Sequence, residues 1–143
     1  MKTVVVDVSV VAKWFPPLDQ EPLGAEARSV LEGWKRGAYN LIAPDLIWIE
    51  FANILWKAVR LKRCSLGVAE TSLAHLRNQG LSTIPSARLI DQAFTIANKY
   101  GRTACDALYV ALAADSDSDL VTADQKLANA LGGHLPVRWL GSI

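Results

Sequence analysis

Cysteine is scarce in this chain, occurring only at Cys64 and Cys105. The two form neither a CxxC pair nor a zinc-like spacing, which points to a reduced, cytoplasmic setting. An excess of charge of either sign is also missing. Fifteen Lys and Arg against fourteen Asp and Glu leave a net charge of +1, so no general pull toward nucleic acid or anionic lipid exists. That excludes a simple basic-patch binder, but not an enzyme whose acidic site is balanced by basic residues elsewhere. Long apolar runs are absent as well. Asp7 breaks the N-terminal valines too early for a signal peptide, and no stretch reaches the roughly 18 uncharged apolar residues of a membrane span. With no repeat, low-complexity tract or linker, residues 1–143 are expected to form one domain.

Apolar residues make up 51% of the 143 and charged residues 20%, a globular composition long enough to bury a core. Residues 2–7 read as a strand without alternation, the pattern of a strand covered on both faces. A short helix after Ser9 stops at Pro16-Pro17. Residues 24–36 are helical, with Ala27, Val30, Leu31 and Trp34 on one face and Gly37 at the end. After the apolar "NLIAPD", a long helix is expected over 45–63, and another capped by Ser65 that closes at Gly80. "LSTIP" is a short strand, 86–100 and 103–114 are helical, "SDLVTAD" is a strand leading to a helix cap, and "PVRWL" is a last strand. This alternation implies an α/β fold with a parallel sheet and helices on both faces. In such sheets ligands bind beyond the carboxyl ends of the strands.

Asp7 lies at one such end, where an N-cap explains it equally well. Glu50, in "PDLIWIEFANILWK", falls between Ile47, Ile54 and Ala58 on one helical face. An ionised carboxylate there costs several kcal/mol without a partner, unless it snorkels to water from the stripe edge. Asp106 stands three residues after Thr103, the spacing of a capping box, yet shares a face with Tyr109 and Val110 of a nearly uncharged helix. Asp124 repeats the Asp7 pattern after "DLVT", with Thr122 placed to orient it or to cap the same helix. If the four converge, electrostatics decides their chemistry. Two like charges ~4 Å apart repel by about 4 kcal/mol at an effective dielectric of ~20. Such a pocket takes up protons or a multivalent cation, and oxygen-only donors favour Mg²⁺ or Mn²⁺. Phosphodiester hydrolysis is the chemistry that suits it.

"VVDVSVVAKWF", "PDLIWIEFANILWK", "CDALYVALA" and "LVTADQKL" together resemble the PIN-domain ribonucleases, most closely the VapC toxins of toxin–antitoxin pairs, in order and spacing over essentially the whole chain. The resemblance implies a three-layer α/β/α sandwich around a five-stranded parallel sheet, and Mg²⁺- or Mn²⁺-dependent endonuclease action on RNA. It assigns metal binding and catalysis to Asp7, Glu50, Asp106 and Asp124, with Ser9 and Thr122 as supporting polar groups. It also implies a homodimer and a cognate antitoxin that silences the acidic site, often with an arginine. Cys105 stands where such toxins often carry Tyr, and is expected to pack in the core.

Other features have ordinary explanations. Lys57, Arg60, Lys62 and Arg63 suit the C-terminal end of a helix dipole, or an RNA backbone; Lys13 beside Trp14 is open in the same way. Trp48 and Trp56 could mark a dimer surface. His75 and His134 read as surface or structural groups, and Asp115, Asp117 and Asp119 as a solvated turn. Phosphoryl transfer through an aspartyl nucleophile fits poorly, because position 9 is Ser where a DxD motif needs an acid, and Glu50 would have no role. A non-catalytic RNA- or protein-binding module that keeps the pocket, and a housekeeping RNA-processing nuclease, remain as alternatives.

Overall fold

The computed structural model describes residues 2–143. Five strands form one parallel sheet in the order β3-β2-β1-β4-β5, with ranges β1 Thr3–Val6, β2 Asn40–Pro44, β3 Ser82–Ile84, β4 Asp119–Thr122 and β5 Val137–Trp139. The α-helices among the described residues are α1 Val8–Val11, α2 Gly24–Lys35, α3 Leu46–Arg60, α4 Leu66–Arg77, α5 Ile90–Tyr100, α6 Ala104–Asp115 and α7 Gln125–Leu131. The result is the expected three-layer α/β/α sandwich. None of these helices is long and apolar enough to cross a membrane.

The central strand is the one with the densest β-branched sequence. Val5 and Val6 of β1 have no exposed surface, as required of a strand flanked on both edges and covered on both faces. β1 pairs with β2 on one side and with β4 on the other, Val5 facing Ile42 and Leu120. The chain runs outward from β1 to β3, then crosses back to β4. The order therefore reverses at β1, and the crevice between the carboxyl ends of β1 and β4 is the switch point where such sheets take ligands.

α6 lies across this centre, packed on β1, β2 and β4. Residues Ala107 to Ala113 are all buried, so the helix is apolar on every side, as a central helix must be. Its first turn is different. Thr103, Ala104 and Cys105 are exposed, because the burial of α6 begins only at Ala107. The expectation that Cys105 packs in the core is thus wrong: its thiol faces outward.

α3 ends earlier, and α5 begins later, than the apolar periodicity predicts. α3 stops at Arg60, and Lys62 takes a left-handed φ of 59° as Arg63 N–H closes the end on the Ala58 carbonyl at 2.8 Å. The segment 86–100 is not one helix: a 3₁₀ turn at Ser86–Arg88 precedes α5, with Leu89 between them. Ser86 spends its amide and hydroxyl on the Asp45 carboxylate, at 2.9 and 2.6 Å, tying this turn to the start of α3.

Of the exposed features, Arg63 pairs with Glu21 at 2.8 Å, Arg60 lies over the Trp56 ring at 5.5 Å, and Lys13 reaches Glu21 at 3.8 Å. His75 stacks edge-on against Phe15, the structural role expected of it. Phe51 of α3 is fully buried and meets Phe15 with ring centroids 5.3 Å apart. Phe51→Ala is expected to cost about 3–5 kcal/mol in chemical denaturation; a loss under ~1 kcal/mol would mean that this face of α3 is not core.

Candidate active site

The site starts from the end of β1. Asp7 is buried and its N–H continues the sheet by donating to the Val121 carbonyl at 3.1 Å. It occupies the N-cap position of α1, but its carboxylate makes no capping hydrogen bond. Instead Oδ2 accepts two hydroxyl protons, from Ser9 and from Thr122, each at 2.7 Å. The direction of these bonds is dictated by the backbone of β4. Ala123 N–H donates to Ser9 Oγ and Asp124 N–H to Thr122 Oγ1, both at 3.0 Å. Each hydroxyl already accepts from an amide, so its single proton is available for Asp7.

Glu50 projects from α3 onto the same region. The buried Tyr109 of α6 donates its hydroxyl proton to Glu50 Oε1 at 2.6 Å. Ile47 and Ala58 on the same stripe are buried and Ile54 partly so. Glu50 is therefore a partnered group at the core's edge and does not snorkel into water. Asp106 is also freed from capping duty: Thr103 accepts from the Asp106 N–H at 3.1 Å and alone caps α6. The Asp106 carboxylate turns to Arg102, 3.3 Å away. Asp124 does cap its helix, accepting from Leu127 N–H at 3.2 Å through Oδ1, while Oδ2 lies 3.8 Å from the same Arg102 nitrogen.

The acids affect one another. Burial pushes the Asp7 carboxyl above its ordinary range; the Thr122 and Ser9 hydrogen bonds oppose this, and the Asp106 charge adds to it. Burial likewise raises Glu50, against the Tyr109 hydrogen bond and with help from the Asp7 and Asp106 charges. The Tyr109 hydroxyl is raised by burial and then by Asp7 and Glu50, which keeps it a donor at any ordinary pH. Asp7, Glu50 and Asp106 thus share one field, and Asp124 joins it through Arg102.

Among the described residues no three His, Cys, Asp or Glu side chains stand close enough to hold one metal ion as placed. The donor chemistry nevertheless fits a hard divalent cation: all donors are oxygens, two are raised by burial with a further push from neighbouring negative charge, and a cationic side chain already lies between two of them. Two contributors went unnoticed in the sequence. Tyr109 was visible only as a lone hydroxyl on an apolar helix three residues after Asp106, and Arg102 as a base four residues before it.

Comparison with known proteins bears on the family and the fold. The PIN domain family matches residues 4–131. Ribonuclease VapC3 of Pyrobaculum aerophilum is 33% identical over 127 residues, spanning 87% of this chain and 92% of its own. Among solved structures, PAE2754 from Pyrobaculum aerophilum superposes with a TM-score of 0.71 at 21% identity, covering 99% of this chain and 91% of its own. VapBC2 from Rickettsia felis, solved with a DNA fragment from its promoter, gives 0.63 at 12% identity over 96% and 98% of the two chains. At these identities the two structures speak for the fold.

The raised carboxyls set a pH dependence. A group protonated more readily in the folded than in the unfolded state favours folding below its unfolded value, and that contribution is lost as pH rises through the folded one. For Asp7 and Glu50 the loss begins above the ordinary values of 3.8 and 4.5. Metal-free Asp7→Asn should therefore melt above the wild type at neutral pH, with the gap closing toward about pH 4. A lower Tm for the variant at neutral pH would contradict this assignment of strain to Asp7.

Proposed function

Because the chain belongs to the PIN-domain family, we propose that it is a Mg²⁺- or Mn²⁺-dependent endoribonuclease and the toxin of a VapBC-type toxin–antitoxin pair. The observation that carries the proposal is Asp7: a buried carboxylate at the switch point, its rotamer held by two hydroxyls and its charge opposed by burial and by Asp106. A fold keeps so costly an arrangement where a cation is to be bound. The name of the relative Ribonuclease VapC3 supports RNA as substrate.

In this proposal Asp7, Glu50, Asp106 and Asp124 are the metal-binding and catalytic residues. When bound, the ion would supply charge neutralisation at the phosphate and would lower the pKa of a water so that it can attack as hydroxide. The protein's own contribution is orientation. Ser9 and Thr122 pin Asp7 from two elements, and Tyr109 fixes Glu50. Removing such supporting bonds typically costs 10–100-fold in affinity or activity.

Partners follow from the same family. A cognate antitoxin is proposed from the toxin–antitoxin structures that share the fold, and a homodimer from the apolar surface of α3. There Ile49 and Trp56 are 64% and 61% exposed, beside a groove lined by Leu55, Val59, Leu66 and Leu73. One domain over residues 1–143 and a cytoplasmic location complete the proposal. The alternative of a pocket kept for binding alone draws on Arg102 lying across Asp106 and Asp124.

Purified protein is expected to cleave total RNA with Mn²⁺ and to stop with EDTA. Asp7→Asn and Asp106→Asn should each lose at least ~10²-fold in rate while retaining wild-type circular dichroism. Undiminished cleavage by Asp7→Asn would remove the mechanism, and tight Mn²⁺ binding with no cleavage of any RNA would favour the binding module. Thr122→Val, which deletes one hydroxyl without changing shape, should slow cleavage by roughly 10–100-fold; an unchanged rate would show that Asp7 does not need its second donor.

A further inference from the structure

Arg102 sits in the turn from α5 to α6. Gly101 ends α5 with a left-handed φ of 67°, and the Arg102 N–H closes that end on the Ala97 carbonyl at 3.1 Å. The turn delivers the guanidinium to the acids: Nη2 lies 3.3 Å from Asp106 Oδ2 and 3.8 Å from Asp124 Oδ2. One nitrogen thus faces carboxylates of α6 and of the α7 cap, and the side chain is only 23% exposed.

Helix energetics does not explain this placement. Arg102 follows the C-terminal end of α5, where the macrodipole favours a cation, but precedes the N-cap of α6, where it disfavours one, so the two helix ends pull against each other. Its i,i+4 pair with Asp106 also runs base before acid, the weaker order on a helix. Its side-chain hydrogen bonding is incomplete: Nη2 donates to Asp106 Oδ2 at 3.3 Å, while the buried Nε has no partner. What remains is the field of the acids themselves.

We propose that Arg102 is the internal counter-ion of the acid site: its guanidinium spans Asp106 and Asp124 while they hold no metal, and it must withdraw for both to ligate one. Metal and Arg102 then compete for the same oxygens. The inference rests on the metal-dependent function proposed above. Its consequence is that part of the charge on Asp106 and Asp124 is offset without a metal, and that metal loading is weaker than the carboxylates alone would give. The incompletely bonded guanidinium is suited to this, because leaving the acids breaks no further hydrogen bond of Nε.

Mn²⁺ affinity, read from the electron paramagnetic resonance signal of the free ion, tests the proposal without RNA. Arg102→Gln should bind Mn²⁺ roughly tenfold more tightly than wild type, and its Tm should rise more on Mn²⁺ addition. Arg138→Gln removes the same charge from the Asp119 pair and should leave the affinity unchanged. If Arg102→Gln does not fold, Arg102→Met carries the test: it keeps an unbranched apolar stem without the charge and should also bind more tightly than wild type. Equal or weaker binding by the folded Arg102 variant overturns the proposal, as does an equal gain in Arg138→Gln. The wild-type arm separates the two ideas: no Mn²⁺ binding there defeats the proposed function and this inference with it. Wild-type binding with no change on removing Arg102 defeats only the counter-ion.

Discussion

The hydrogen bonds that Ser9 and Thr122 give to Asp7 are the constraint on which the rest of the site depends. The Thr122 bond joins the end of β1 to the end of β4 across the switch point, side chain to side chain, where the Val6–Val121 register already joins the backbones, and Ser9 adds a second hold from α1. Amides of the segment after β4 occupy an acceptor site on each hydroxyl, which leaves the hydroxyl protons available to Asp7. A buried carboxylate with two committed donors keeps one rotamer, and a fixed rotamer is what a metal or a phosphate requires of a ligand.

The cost of that constraint is electrostatic. Burial works against the charge on Asp7 and Glu50, and Asp106 works against both. The fold offsets part of it with hydroxyl donors and, at the rim, with Arg102. Such a centre lowers the stability of the empty protein, the usual relation between an active site and the scaffold that holds it. α6 serves both sides of this balance. Its alanines and leucines fill the middle of the sandwich, while Asp106, Tyr109 and the preceding Arg102 face the acids.

Much of this was legible in the sequence for physical reasons. Runs of valine and leucine ending on an acid mark the carboxyl ends of β1 and β4, and alternation with helical segments dictates parallel pairing. Glu50 was identifiable because a charge on an apolar stripe has to be explained. The errors have physical causes too. Periodicity does not reveal where a residue such as Lys62 takes a left-handed conformation and ends a helix, nor that Ser86 bonds to Asp45 and separates a 3₁₀ turn from α5. Cys105 was expected inside because its helix is apolar, but burial along α6 starts one turn later. The Tyr109–Glu50 bond and the reach of Arg102 to Asp124 join residues remote in sequence, and pairings of that kind follow from topology and not from local pattern; only the Arg102–Asp106 pair is local.

The most direct measurement is anomalous diffraction from crystals of the protein soaked in Mn²⁺. A manganese peak within about 2.0–2.4 Å of oxygens from Asp7 and Asp106 is expected, with the Arg102 guanidinium moved off Asp106. An empty crevice at saturating Mn²⁺, or a peak ligated elsewhere with Arg102 still in place between Asp106 and Asp124, would contradict the claim that these acids are held together for a divalent ion.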